Sequence, residues 1–211
     1  EVYGSANFDL FEMGGGTSSM VVGAEYRTED WSDIYDSLSV AGVVSGSAGN
    51  SAFGDRDVTA VYFEALFPIL DNFEATIAGR YDDYSDYGSD FAPRIALRYQ
   101  PLDTLTLRGS WGQGFRAPTL DIVGQQPAFG ADGVADPQTC IAQGQPAGCS
   151  TQVTSYTIAN PNVLSEQSTQ WSTGLAWDAT DWLNLTLDYY NIEIEDQLAF
   201  FDTAALVNCI S

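Results

Sequence analysis

A period of two constrains this chain more than any other feature. At 103–111, Leu105, Leu107, Gly109 and Trp111 share one parity, while Thr104, Thr106, Arg108 and Ser110 share the other. Successive side chains of a strand point to opposite faces, so the segment reads as a strand with one apolar and one polar side. The same holds at 93–100, with Ile95, Leu97 and Tyr99 opposite Arg94 and Arg98, and at 72–81, with Phe73, Ala75 and Ile77 opposite Glu74, Thr76 and Arg80. It recurs at 59–67 (Val61, Phe63, Phe67 against Glu64), at 168–177 and at 183–189. In the last of these the phase slips at Tyr189-Tyr190, which predicts a bulge or the edge of the apolar band. Eight strands result, near 1–11, 18–29, 57–67, 72–84, 90–100, 103–115, 166–178 and 182–196.

The connections alternate in kind. Brief turns fall at 12–17, 68–71, 101–102 and 179–181, and the other links fall at 30–56, 85–89, 116–165 and from 197 onward. Short and mostly long links therefore lie at opposite ends of the strands. Transmembrane β-barrels have this asymmetry, and their strands need about 9–11 residues to cross a bilayer. A soluble sandwich alternates too, but has no reason to segregate its loops. Aromatic residues gather toward both strand ends: Phe67, Phe73, Tyr99, Trp177 and Trp182 at the short turns, and Tyr26, Tyr81, Tyr84, Tyr87, Trp111 and Tyr189 toward the other end. Two such belts are what a bilayer selects. The fold predicted is all-β, part of an antiparallel up-and-down transmembrane barrel. Residues 1–211 form part of one barrel domain, with a long extracellular loop at 116–165.

Charge narrows the function. The formal net charge is -22, and all seven cations are Arg, with no Lys and no His. Nucleic-acid binding needs a basic stripe, so no nucleic-acid partner is expected. Without His, neither a His-ligated metal site nor a Ser-His-Asp triad can form. Arg80, Arg94, Arg98 and Arg108, with Glu64, occupy the polar parity. A cation facing lipid at midplane costs about 2–4 kcal/mol, so these residues point to a wet or protein-filled lumen.

Three Cys are present. Cys140 and Cys149, close together in a polar Gly/Pro/Gln-rich stretch, suit a disulfide in an oxidising compartment, whereas Cys209 calls for a partner elsewhere. Asp82, Asp83, Asp86 and Asp90 around Gly88 read as a solvated hairpin tip rather than a Ca²⁺ site, because the EF-hand order is missing. Glu193 and Glu195 share one face without a cleft, so neither catalytic nor metal-binding residues are expected, nor any cofactor. The better functional candidate is the 116–165 loop. Its aromatic Phe129 and Tyr156, with the amide-bearing Gln125, Gln126, Gln145 and Asn160, suit stacking on and hydrogen bonding to a sugar or chelate.

Four pieces resemble the TonB-dependent receptor barrel: Gly23-Ala-Glu-Tyr-Arg-Thr-Glu29, Gly79-Arg-Tyr-Asp-Asp-Tyr-Ser-Asp-Tyr-Gly88, Leu107-Arg-Gly-Ser-Trp-Gly-Gln-Gly-Phe-Arg-Ala-Pro118 and Leu164-Ser-Glu-Gln-Ser168. The third is the most specific. What the resemblance implies is a segment of a 22-stranded barrel in the bacterial outer membrane, closed by a plug. Such a receptor imports a scarce ligand, an iron-siderophore, cobalamin or an oligosaccharide, with TonB-derived energy and without bond chemistry. Neither plug, energy-coupling box nor closing strand is recognisable, so an internal piece is expected. Its partners would be its own plug domain and the TonB complex, the lipid bilayer with lipopolysaccharide, and a small-molecule ligand. Arg116 then reads as a side chain holding loop, barrel or plug carboxylates together. Two rivals remain: a soluble or surface β-sandwich carbohydrate-binding module, with Trp171, Trp177 and Leu185 packed on a second sheet, and a passive porin or adhesin barrel.

Overall fold

A computed structural model describes residues 1–44, 49, 51–160, 162–199, 203 and 205. It contains strands β1 (Val2–Met13), β2 (Gly16–Asp33), β3 (Ala52–Leu70), β4 (Phe73–Tyr84), β5 (Gly88–Leu102), β6 (Leu105–Arg116), β7 (Ala128–Ala135), β8 (Ser150–Thr157), β9 (Glu166–Thr180) and β10 (Leu183–Glu195). Short helices α1 (Ser37–Val40), α2 (Leu120–Val123) and α3 (Pro137–Ala142) lie in the long connections. Eight strands form one meandering sheet in the order β1-β2-β3-β4-β5-β6-β9-β10, and β7 and β8 form a separate pair. Cys209 lies outside the described residues.

The chain divides into two compact units. The first holds Glu1–Glu29, Arg56–Ala117 and Leu164–Gln197; the second holds Asp30–Asp55, Pro118–Val163 and Leu198–Ser211. In the first, the four links at one end shrink to two-residue turns, Gly14-Gly15, Asp71-Asn72, Asp103-Thr104 and Asp181-Trp182. Turns this short fix the register of each hairpin, and with it the face each side chain takes.

Register carries the alternation across the sheet. Ala65, Ile77, Ile95, Trp111 and Trp171 lie on or beside one apolar row, through the pairs Ala65↔Ile77, Ile77↔Ile95, Ile95↔Trp111 and Trp111↔Trp171. Apolar side chains on this face stay open: Trp171 is 42% exposed, Trp177 44% and Leu185 44%. No second sheet covers them, which removes the sandwich reading. A contiguous apolar face left bare is a surface for a nonaqueous neighbour. The buried positions gather instead on the polar face, at the long-loop end, around Arg56, Val58, Ala60, Asp82 and Tyr84.

Two expectations change. β10 keeps one register with β9 from Asn184↔Asp178 to Glu195↔Gln167, so there is no bulge at Tyr189-Tyr190; the only shift lies at the turn, between Leu183 and Asn184. The phase slip marks the edge of the apolar band, where the face of Leu185, Leu187 and Tyr189 continues as Asn191, Glu193 and Glu195. Tyr84 likewise belongs to no interfacial belt, because it is buried among charged side chains on the polar face.

Candidate functional site

On the polar face of the first unit, alternation places Glu25, Arg27 and Glu29 in line on β2. Arg27 reaches Glu25 at 2.8 Å and Glu29 at 2.9 Å. Arg56 of β3 meets Glu29 at 2.7 Å and Asp86 at 3.4 Å. Arg80 of β4 meets Glu25 at 3.0 Å and Asp82 at 2.8 Å. The Arg56 guanidinium lies 5.0 Å from the centre of the Tyr84 ring, and Arg27 donates to the Tyr84 hydroxyl at 3.2 Å. Half-buried charges are costly to desolvate, and shared partners together with cation–π contact offset that cost. Gly23 fits the same packing, because a Cβ there would collide with the Tyr62 ring.

The belt continues toward β9. Tyr84 packs on Tyr87 and edge-on against Phe115, with centroids 4.8 and 6.2 Å away. Asp90 accepts from the Tyr87 hydroxyl at 2.8 Å, the Ser165 hydroxyl at 2.9 Å and the Gln167 amide at 2.7 Å. In the turn, burial first and then this bond to Asp90 push the Tyr87 phenol well above its ordinary range. Arg116 and Glu166 pair at 2.7 Å from directly opposite positions on β6 and β9. All four sequence motifs thus meet in one side-chain belt. Asp82, 2% exposed, is no solvated hairpin tip, and Asp86 and Asp90 are also engaged; among the described residues no group of acidic, His or Cys side chains could hold a metal ion.

The β5–β6 seam accounts for Gly112 of the strongest motif. Direct pairing runs from Leu102↔Leu105 up to Arg94↔Gly112. Pro93, next in line, has no N–H to continue the ladder. Its carbonyl oxygen lies 3.2 Å from where a Gly112 Cβ would stand, so a side chain there would press the strands a few tenths of an ångström apart.

Nearer the short turns the polar face is more open. Arg108 holds Asp188 at 2.6 Å, and Arg98 stands 3.7 Å from Glu74 and donates to Gln100 at 3.0 Å. Arg94 and Glu64 are exposed and make no ion pair or side-chain hydrogen bond among the described residues.

In the second unit, the 116–165 segment is more structured than a plain loop. β7 and β8 pair over their full lengths, from Ala128↔Thr157 to Ala135↔Ser150. Phe129 and Tyr156 face each other in that ladder with ring centroids 5.6 Å apart, and Tyr156 is 72% exposed. Cys140 of α3 is joined to Cys149, with Cα atoms 5.9 Å apart. Asp136 caps α3 by accepting from the backbone N–H groups of Gln138 and Thr139 at 3.1 and 3.2 Å. The Thr139 hydroxyl, with these N–H groups, holds its carboxyl below the usual carboxylate range. Gln125 is only 7% exposed and bridges to Ala52, so it is structural. The Gln126 N–H donates to the Ser51 carbonyl at 2.8 Å, Gln145 closes the end of α3, and the Asn160 side chain accepts from the Asn162 N–H at 3.0 Å. Of the proposed contact residues, the structure thus brings together Phe129 and Tyr156.

Comparison with known proteins decides the family, since residues 2–209 match the TonB dependent receptor-like, beta-barrel family. This chain belongs to it. Among curated relatives, the Vitamin B12 transporter BtuB of Photobacterium profundum is 31% identical over 114 residues, covering 47% of this chain and 18% of that protein. The probable TonB-dependent siderophore receptor PirA of Acinetobacter baumannii is 27% identical over 81 residues, covering 36% of this chain and 11% of that one. The crystal structure of PirA from A. baumannii matches with a TM-score of 0.70 at 18% identity, over 92% of this chain and 26% of that chain. A ferric enterobactin receptor mutant from Pseudomonas aeruginosa, in complex with enterobactin, matches with a TM-score of 0.68 at 18% identity, over 91% and 26%. This chain therefore spans less than a fifth of those curated relatives and about a quarter of those solved chains.

TonB-dependent receptors are outer-membrane proteins and transporters, not enzymes. Sequence reasoning placed Arg80 on the polar face and read Arg116 as holding carboxylates together, but missed their partners Glu25, Asp82 and Glu166. The signal was present in the spacing: Glu25-Arg27-Glu29 and Arg80-Asp82 alternate sign every second residue, which puts opposite charges side by side on one face.

Proposed function

We propose that residues 1–211 are part of one barrel domain of an active importer, with 116–165 as a long extracellular loop. The strands wall the conduit, and the loop takes part in selecting a scarce small molecule, an iron-siderophore, cobalamin or an oligosaccharide. In this reading the lumen holds the receptor's own plug domain, the energy comes from the TonB complex, and the outer rim meets lipopolysaccharide.

One observation carries the reading: an aromatic pair, the exposed Tyr156 against the half-buried Phe129, stands on a disulfide-braced hairpin within that loop. Rigid, half-wet aromatics stack on ligands at low entropic cost. A passive porin has no need of such a fixture.

The test uses the full-length receptor in whole cells, offered radiolabelled ferric hydroxamate, ferric catecholate, cobalamin or maltooligosaccharide. Saturable uptake of one class is expected, abolished by a protonophore. Tyr156→Ala should weaken binding of that ligand about tenfold, or ~1.4 kcal/mol. Uptake that is unsaturable and indifferent to the protonophore would favour the porin, and unchanged affinity in both Tyr156→Ala and Phe129→Ala would remove the hairpin from recognition.

A further inference from the structure

On the polar face of the first unit, register brings Arg94 of β5 opposite Gly112 and Gly112 opposite Gln170 of β9; one step along, Ser110 faces Ser172, which in turn faces Tyr190 of β10. These residues line a cavity of about 340 Å³. The chain has 29 acidic residues, yet none lines it. The Arg94 Cβ and Cγ both stand 3.5 Å from where a Gly112 Cβ would be, so the missing side chain leaves the Arg94 stem room to lean over this floor. Arg94, Gln170 and Tyr190 make no ion pair or side-chain hydrogen bond among the described residues. The Ser110 and Ser172 hydroxyls bond each other at 2.8 Å, which uses one of their two hydrogens and leaves the second to donate. Guanidinium, amide and hydroxyl donors therefore converge on a space with no carboxylate in it. Glu64 lies on the other side of Arg94, across Ala78. Such a span can be bridged, as Arg108 and Asp188 do across Gly174 at 2.6 Å, but Arg94 and Glu64 are not paired. An adjoining cavity of about 320 Å³ shares Arg94 and adds Arg98 and Arg108 against one acid, Glu74.

We infer that these residues form a transit site for an anionic ligand, one of whose carboxylate, catecholate or phosphate groups is held by Arg94 beside Ser110, Ser172 and Gln170. The inference rests on the proposed importer reading and narrows its ligand to one that carries oxyanions, excluding a neutral oligosaccharide. A guanidinium donates through a planar fork that matches an oxyanion, and it accepts nothing. A sugar hydroxyl, which also has a hydrogen to place, finds no carboxylate to receive it. Salt confines each exposed charge to a range of about 8 Å, so the local surplus of Arg sets the field over this concave stretch of wall whatever the net charge of the whole chain. The site is also open: Tyr190 is 72% exposed. Donors at an open site hold a group firmly enough to attract it and loosely enough to release it, which a stop along a conduit requires. Gly112 of the Gly-rich motif thereby gains a second role, as the floor over which Arg94 leans.

The experiment offers whole cells carrying the full-length receptor two radiolabelled anionic chelates, ferric tricatecholate and ferric citrate, and two neutral probes, a ferric trihydroxamate and maltooligosaccharide. Saturable uptake of an anionic chelate is expected, and of neither neutral probe. Arg94→Gln should lower the maximal uptake rate about tenfold, with surface affinity in the presence of a protonophore kept within about twofold, and Arg94→Lys should retain about a third of the rate. Ser110→Ala with Ser172→Ala should lower it about threefold. Arg94 has no ion pair in the wall to lose, so heat-modifiable gel migration should report a folded barrel; if Arg94→Gln misfolds, Arg94→Lys and the serine pair decide the matter. An unchanged uptake rate in the folded variants would overturn the inference, as would saturable uptake confined to a neutral probe. Faster hydrogen–deuterium exchange in the plug of Arg94→Gln would overturn it too, because the guanidinium would then belong to the plug. Unsaturable uptake of every probe, indifferent to the protonophore, would instead count against the importer reading.

Discussion

In the belt of the first unit, residues from distant parts of the chain hold one another: Arg56 and Glu29 are 27 positions apart and Arg116 and Glu166 are 50 apart. In the β7–β8 region of the second unit the restraints are local, with a disulfide spanning nine positions and an N-cap reaching two and three residues ahead. Both regions order backbone that a bare loop would leave free. The wall does so cooperatively, through ladders and shared charges, so damage at one point spreads. The hairpin does so as a small self-contained module, whose sequence can change without asking the wall to adjust.

The contrast breaks most visibly at Arg56. Arg56→Met removes contacts to Glu29 and Asp86 and the stacking on Tyr84. Because Glu29 is a third exposed and can turn to water, the loss should sit near the lower end for a broken buried pair, about 3 kcal/mol. Urea titration of the full-length receptor in liposomes should show it as one shifted cooperative transition; a loss confined to a few amides would contradict the cooperative picture.

A smaller and more local effect is expected at the disulfide. Cys140→Ser with Cys149→Ser should cost about 2 kcal/mol in the chain-entropy model. Hydrogen exchange should rise between 136 and 157 while the amides of β3–β6 keep their protection. Spread into those strands would mean the hairpin is not a separate module.

The smallest effect is acidic fraying of α3. The Asp136 carboxyl titrates below its ordinary range in the folded cap, so its contribution is complete above the unfolded value of about 3.9 and is lost as pH falls below it through the folded value. Protection of the α3 amides, corrected for intrinsic rates, should be flat from about pH 7 to 5 and decline below about pH 4. A decline between pH 7 and 5 would point to another group.

The wall was legible because hydrocarbon on one side forces strict alternation: Leu105, Leu107 and Trp111 could be assigned to a face before any partner was known. The turns were legible because two-residue links leave little choice of register. β7 and β8 were not, since Thr151, Val153, Ser155 and Thr157 alternate with residues mostly as polar, and a hairpin that buries only Ala128 and Val134 of β7 prints too weak an apolar stripe to read. The belt was half legible. Parity put Arg80 on the inner face, but its partner Glu25 is 55 positions away, and spacing along a chain says nothing about which strands will be neighbours.

The β5–β6 seam has a mechanical consequence. Below Pro93 the two strands are zipped by backbone, and above it the closure depends on Asp90 gripping Ser165 and Gln167, with the Tyr84 and Phe115 rings wedged edge to face. Backbone teeth part only when the cylinder itself comes undone, whereas side-chain teeth can swing aside one rotamer at a time. Above Pro93 this one seam is therefore closed by side chains, while β4–β5 and β6–β9 stay zipped by backbone on either side of it, and the Gly-rich motif marks where one kind of closure gives way to the other.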